Sequence, residues 1–166
     1  MAVLVDDVRR VSSPERDAGR GIRRVLVAFD GSPGAWGALS QGIAIALRER
    51  ALLTIAAVVP EPPVWVDMGI SASPYSRQRL RQDAERQMQQ CLAAARDEVP
   101  ATLSVTTRML HGRPARALAA LAEQGDYDLV VTGPRPAAGR LRRALRGGVA
   151  RALVARCSVS VLAIRA

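Results

Sequence analysis

The sequence predicts an α/β fold, a doubly wound open parallel sheet of five strands with helices on both faces. Two observations carry this. Short, nearly unbroken apolar runs alternate with longer segments whose apolar residues recur at three- and four-residue steps. Strands that alternate with helices in this way pair in parallel through helical crossovers. The run over 52–59 is apolar without a break, as expected of a strand covered on both faces, while that over 102–110 alternates in part.

The order is β-α-β-α-β-α-β-α-β. Residues 24–29 (RVLVAF) form the first strand and end at Asp30-Gly31-Ser32-Pro33, a tight turn in which Ser32 caps a helix and Pro33 takes its first position. That helix spans 34–50, with Trp36, Leu39, Ile43, Ala46 and Leu47 as its apolar face. Residues 52–59 (LLTIAAVV) form strand two, closed by Pro60-Glu61-Pro62-Pro63. A loop over 64–75 follows, then a long helix over 76–98 whose inner stripe is Leu80, Ala84, Met88, Cys91, Leu92 and Ala95. Strand three covers 102–110, and His111-Gly112-Arg113-Pro114 leads into a helix over 115–124. Strand four is 129–132. A Gly, Pro and Arg loop runs over 133–146, with a helical turn at 141–145. A last helix over 148–156 and strand five over 158–164 complete the order. Residues 1–21, mixed and polar, read as a flexible leader ahead of one domain over 22–166.

Composition narrows the function. With 49% apolar and 23% charged residues, the chain reads as an ordinary globular domain, and at 3% aromatic its core must be built from Ala, Val, Leu and Ile. All 24 basic residues are arginine, giving a net charge of +9. Genome composition is the first reading of this bias, and anion binding through planar guanidinium forks the second. Cys91 and Cys157 lack metal or redox spacing, sit at apolar positions and read as packing residues. No metal-ligand set is visible, and His111 has no nucleophile or second base nearby. No run is long enough to cross a membrane and the N-terminus does not read as a signal peptide, so a cytoplasmic protein is expected. The arginines at 140, 142, 143 and 146 bracket Leu141 and Leu145 as a solvated helix face would, without the aromatic platform of a nucleic-acid site.

In an open parallel sheet, ligands bind at the carboxyl ends of strands where the winding reverses. If strands one and four are neighbours, the site is built from Asp30-Gly31-Ser32 and Thr132-Gly133 onward. Asp-Gly-Ser is also a common turn and cap, so Asp30 carries both readings. The layout of strand four, Gly-bearing loop and helix start at Gly147-Gly148 is one that presents backbone N–H groups to a phosphate.

Three stretches in this order resemble the universal stress protein family: Val25 to Pro33 (VLVAFDGSP), Gly112-x-Pro114 followed by Asp126 to Gly133 (DYDLVVTG), and the helix after Gly147 closed by Cys157 to Leu162 (CSVSVL). The resemblance covers roughly residues 23–164. It implies the Rossmann-like strand order 3-2-1-4-5 and a stress-response role. It implies a site for ATP or another adenine nucleotide, Mg²⁺ entering only with the nucleotide, and a homodimer formed through the 158–164 edge. By position, Ala28, Phe29 and Asp30 would meet the adenosine end, Val58 the base through its backbone, and Thr132 and Gly133 the ribose. Gly147, Gly148 and Val149 would lie at the phosphates. Catalytic residues are not implied beyond weak ATP hydrolysis.

The family's Gly-x2-Gly-x9-Gly-Ser/Thr loop is altered here. Counted from Gly133, the second glycine falls on Pro136 and the last pair on Arg146-Gly147; counted from Gly147, the earlier glycines fall on Ala137 and Pro134. Pro136 has no N–H to offer and Gly148 stands where a hydroxyl residue would. Arg135 and Arg140 are candidates to contact phosphate instead. The alternative is a homodimeric interaction protein with a degenerate phosphate loop and protein partners of unknown identity.

Overall fold

A computed structural model describes residues 21–59, 74–134 and 148–164. Its elements run β1 (Arg24–Ala28), α1 (Pro33–Glu49), β2 (Leu52–Val59), α2 (Pro74–Asp97), β3 (Val105–His111), α3 (Pro114–Gln124), β4 (Leu129–Thr132), α4 (Gly148–Val154) and β5 (Ser160–Ala163). All pairings are parallel and the order is β3-β2-β1-β4-β5. The doubly wound class and strand order are those expected. Residues 1–20 of the leader, 64–73 of the expected 64–75 loop and the loop over 135–147 lie outside the described residues; Pro74 and Tyr75, expected in the loop, instead begin α2.

The sheet divides the core in two, because successive residues of a strand point to opposite faces. Val25 and Val27 join Leu39, Ala46, Leu92 and Ala95 beneath α1 and α2. Leu26 and Val130 join Leu118, Ala122 and Leu153 beneath α3 and α4. Val25, Leu26 and Val27 have no exposed surface at all. Each such side chain contributes about 1.5–3 kcal/mol by leaving water.

Helix α1 begins as expected: the Ala35 amide donates to Ser32 Oγ (3.2 Å) and Pro33 occupies the first turn. Its buried face differs from the expected one. Gly34, Ala35, Ala38, Leu39, Gly42 and Ala46 face the sheet, while Trp36 and Leu47 are exposed. Small residues let the helix lie close: a Cβ on Gly42 would overlap Val27 Cγ2. Leu80 is likewise exposed rather than part of the inner stripe of α2, which runs through Leu92 and Ala95 with Met88 and Cys91 at its border. β3 starts at Val105, three residues after the expected strand, because the Leu103 amide donates to the Pro100 carbonyl (2.9 Å) and holds the chain in a turn. α4 ends at Val154, and the Arg156 and Cys157 amides both fold back on the Leu153 carbonyl. The entry to β5 is held by Glu123, whose Oε1 accepts from the Ser158 amide (2.6 Å) and hydroxyl (2.9 Å), so the ladder begins at Ser160 rather than at 158.

The α3–β4 turn is tied to the head of β1. Asp128 Oδ2 accepts from the Arg23 and Arg24 amides (2.8 and 2.9 Å), and Arg24 Nη1 donates to the Gly125 carbonyl at the end of α3 (2.9 Å). Between them, Tyr127 reaches under α3 and its hydroxyl donates to Thr54 Oγ1 (2.9 Å) in the interior. Replacing Tyr127 by Phe leaves Thr54 without that donor while keeping the ring. Tyr127→Phe is expected to lower stability by about 1–2 kcal/mol in denaturant unfolding. An unchanged midpoint would mean that the bond contributes nothing net.

Candidate functional site

The winding reverses between β1 and β4. Ala28 at the end of β1 lies in register with Thr132 on one side and Ala56 on the other. The Phe29 amide extends the ladder by one bond to the Ala56 carbonyl (2.8 Å). The chain then turns sharply: the Ser32 amide donates to Asp30 Oδ1 (3.1 Å), and Gly31 adopts φ 77°, a left-handed conformation that a side chain would resist. Asp30 is exposed at this crest. Beneath it, a Cβ on Gly31 would come within 3.2 Å of Cys91 Sγ on α2.

The structure therefore brings Ala28, Asp30, Thr132 and Gly133 to one edge of the sheet. Thr132 is buried, and its hydroxyl reaches the Gly133 carbonyl only at 3.4 Å. Val58, also buried, ends up on the same edge through β2 and packs on the α3/α4 side. The Phe29 ring is not at the crevice. It is 3% exposed, belongs to the α1/α2 core and meets Trp36 edge-on (4.9 Å, 86°). Only its backbone remains toward the reversal. Val149, one residue into α4, packs against the α3/α4-side core. Gly148 opens that helix. Gly147, Arg135 and Arg140 lie outside the described residues.

A close approach that sequence reasoning missed shapes the crevice. A Cβ on Gly133 would overlap the Gly34 carbonyl, and one on Gly34 would overlap the Pro134 carbonyl. The chain leaving β4 thus lies directly on the first turn of α1. Gly34 was legible only as a glycine after a helix-starting proline; nothing local in the sequence indicates what it meets. Ser32 caps α1, and Pro134 lies against the first turn of that helix.

Other candidate chemistry is dispersed. His111 ends β3 with Nδ1 3.7 Å from Glu85 Oε1, which also pairs with Arg81 (3.2 Å). Burial of the thiol, followed by the nearby Glu123 carboxylate, pushes Cys157 above the ordinary thiol range, so it stays neutral and poorly nucleophilic. Among the described residues no three His, Cys, Asp or Glu side chains are placed to hold a metal ion, and no helix is long and apolar enough to cross a membrane.

A model of the universal stress protein family matches residues 21–165. A search of curated proteins finds no match. Among solved structures, universal stress protein UspA from Lactobacillus plantarum is 23% identical, with a TM-score of 0.67 over 88% of this chain and 99% of that one. A universal stress protein in complex with cAMP is also 23% identical, with a TM-score of 0.65 over 88% and 98%. A family protein from Arabidopsis thaliana with AMP bound is 16% identical, with a TM-score of 0.62 over 86% and 91%. At these identities the structural likeness shows a shared fold.

The contact between Gly133 and Gly34 predicts that Gly133→Ala is disruptive, because backbone rather than a movable side chain is in the way. A loss of about 1–3 kcal/mol is expected in denaturant unfolding. A variant as stable as the parent would show that the crevice opens without resistance.

Proposed function

The chain belongs to the universal stress protein family, and on that premise we propose that it is a stress-response module that binds an adenine nucleotide at the carboxyl ends of β1 and β4. The observation that carries this reading is the reversal between those strands, with Asp30 at the crest of one turn and Gly133 at the start of the other. That is where an open parallel sheet leaves a crevice for a ligand. The cAMP and AMP complexes of proteins with this fold support the choice of adenine nucleotides over other anions. In this reading Asp30 accepts from hydroxyls of the ribose, the backbone at Ala28, Phe29 and Val58 lines the base, and Thr132 and Gly133 border the sugar. Phosphate contacts fall to Gly147, Gly148 and Val149, with Arg135 and Arg140 supplying positive charge. Mg²⁺, if it enters, comes with a nucleoside triphosphate.

A second reading has its own observation. Pro134 has no N–H and rests on Gly34, so the chain leaving β4 offers no amide at its first step beyond Gly133. On that reading the crevice is degenerate and the protein acts through its surfaces. Calorimetric titration with AMP, cAMP and ATP, with and without Mg²⁺, separates the two. Saturable binding that weakens about tenfold or more in Asp30→Ala supports the nucleotide reading, since a bond to a charged acceptor is worth about 1.5–3 kcal/mol. No heat with any of the three nucleotides sinks it.

Both readings place the chain in a homodimer joined through the outer edge of β5, where Val161, Leu162 and Ala163 are half-buried. Sedimentation equilibrium should return twice the monomer mass. A monomer at all concentrations would remove the dimer from either reading.

A further inference from the structure

β3 is the other edge of the sheet. It pairs with β2 and, among the described residues, with no strand on its outer side. In a parallel strand, alternate residues turn both backbone groups to opposite sides. The Ser104 carbonyl accepts from the Leu53 amide, and the Gly112 amide donates to the Val59 carbonyl. Thr106, Arg108 and Leu110 therefore face β2 as well, and Val105, Thr107, Met109 and His111 present N–H and C=O outward. The register against β2 is unbroken from Val105 to His111, so no bulge twists this edge away, and no proline interrupts it.

Each face of this edge carries a groove. On the α2 side, a cavity of about 430 Å³ is lined by Leu92, Ala93 and Met109 together with Gln89, Arg96 and Asp97. On the opposite face, one of about 260 Å³ is lined by Arg24, Arg108, Thr54, Ser104, Thr106 and Tyr127 among others, and no carboxylate borders it. Arg24 is engaged with Gly125. The Arg108 side chain makes no hydrogen bond or ion pair among the described residues.

We infer that the β3 edge takes up, by strand addition, an extended segment of a partner protein in which acidic residues alternate with aliphatic ones. The outward backbone groups supply the main-chain bonds, and the two grooves receive alternate side chains, which is the division of labour in strand-addition recognition. The two-residue period of a strand sends successive side chains to opposite faces. The aliphatic set falls beside Leu92 and Met109, and the acidic set beside Arg108. Charge selects the sign, since the second groove holds two guanidinium groups without a carboxylate on a chain of net charge +9. This edge is separated from the β1/β4 reversal by β2, and the inference stands whether or not a nucleotide binds.

A short end-blocked peptide alternating Glu and Val, titrated onto the isotope-labelled full-length chain, tests this by amide NMR and hydrogen exchange. The amides of Val105, Thr107, Met109 and His111 should shift and exchange more slowly, with those of Thr106, Arg108 and Leu110 unchanged in exchange. Arg108→Glu should weaken binding about tenfold, as expected for reversing one member of a close charge pair. Thr107→Pro removes an outward N–H that the β2 ladder does not use, and should abolish binding with an unchanged circular dichroism spectrum. If Thr107→Pro fails to fold, Arg108→Glu decides. Absence of binding, equal binding of a peptide with Glu and Val in blocks, or full binding by either folded variant would overturn the inference. So would outward amides already protected in the free protein, which would mean that another segment of this chain or a second copy covers the edge.

Discussion

β4 hydrogen-bonds to β1 on the side opposite β2, and the rest of the architecture follows from that pairing. The chain winds outward from β1 to β3 with α1 and α2 on one face, then returns to the other side of β1 and continues to β5 with α3 and α4 on the opposite face. Right-handed crossovers demand this division once the direction reverses. The pairing also sends the helices that follow β1 and β4 to opposite faces, α1 to one and α4 to the other, while the first residues beyond β4, Gly133 and Pro134, still lie against the first turn of α1. Asp128, accepting from two amides at the head of β1, and Tyr127, bonded to Thr54, lock the register at the opposite end. The register Val25↔Leu129 is thus held from below and by the ladder itself.

Much of this was legible from residues alone. β2 and β4 read correctly to the residue, since Pro60 closes the first run and Asp128 and Gly133 bound the second. Ser32-Pro33 announced the start of α1 for reasons of local chemistry. What could not be read was which side of α1 meets the sheet. Trp36 and Leu47 have the larger apolar surfaces, and a periodicity count weights them heavily. The sheet instead selects Gly34, Ala38, Gly42 and Ala46, because a helix that lies close has room only for small side chains. The start of β3 was misjudged for a similar reason: Thr102 and Leu103 have strand-like side chains, and the backbone bond from Leu103 to Pro100 overrides them.

The candidate site was legible to the same degree. The positions of Asp30, Thr132 and Gly133 at one edge follow from strand order, and the order follows from the alternation of elements together with the family resemblance. The direction of the Phe29 ring does not. One residue beyond Ala28, the chain still has strand parity, which sends that ring to the α1/α2 face with Val25 and Val27. The seat of Pro134 on Gly34 is a contact between segments far apart in sequence, and no local pattern encodes it. The two sheet edges also differ in a way composition conceals. β5 is short and half-buried, whereas β3 offers seven residues in unbroken register with a groove on each face.

The edge-on contact of Trp36 with Phe29 gives the molecule an optical property. Only two tryptophans occur in the chain, Trp36 and Trp65. Trp36 sits in the first turn of α1, with its indole partly in water and partly against the ring that follows β1. Its emission therefore reports how the first turn of α1 sits on the core beneath it, and its near-ultraviolet circular dichroism the angle between the two rings. In a background where Trp65 is replaced by Phe, the seat of α1 on the sheet carries its own chromophore, readable without an attached label.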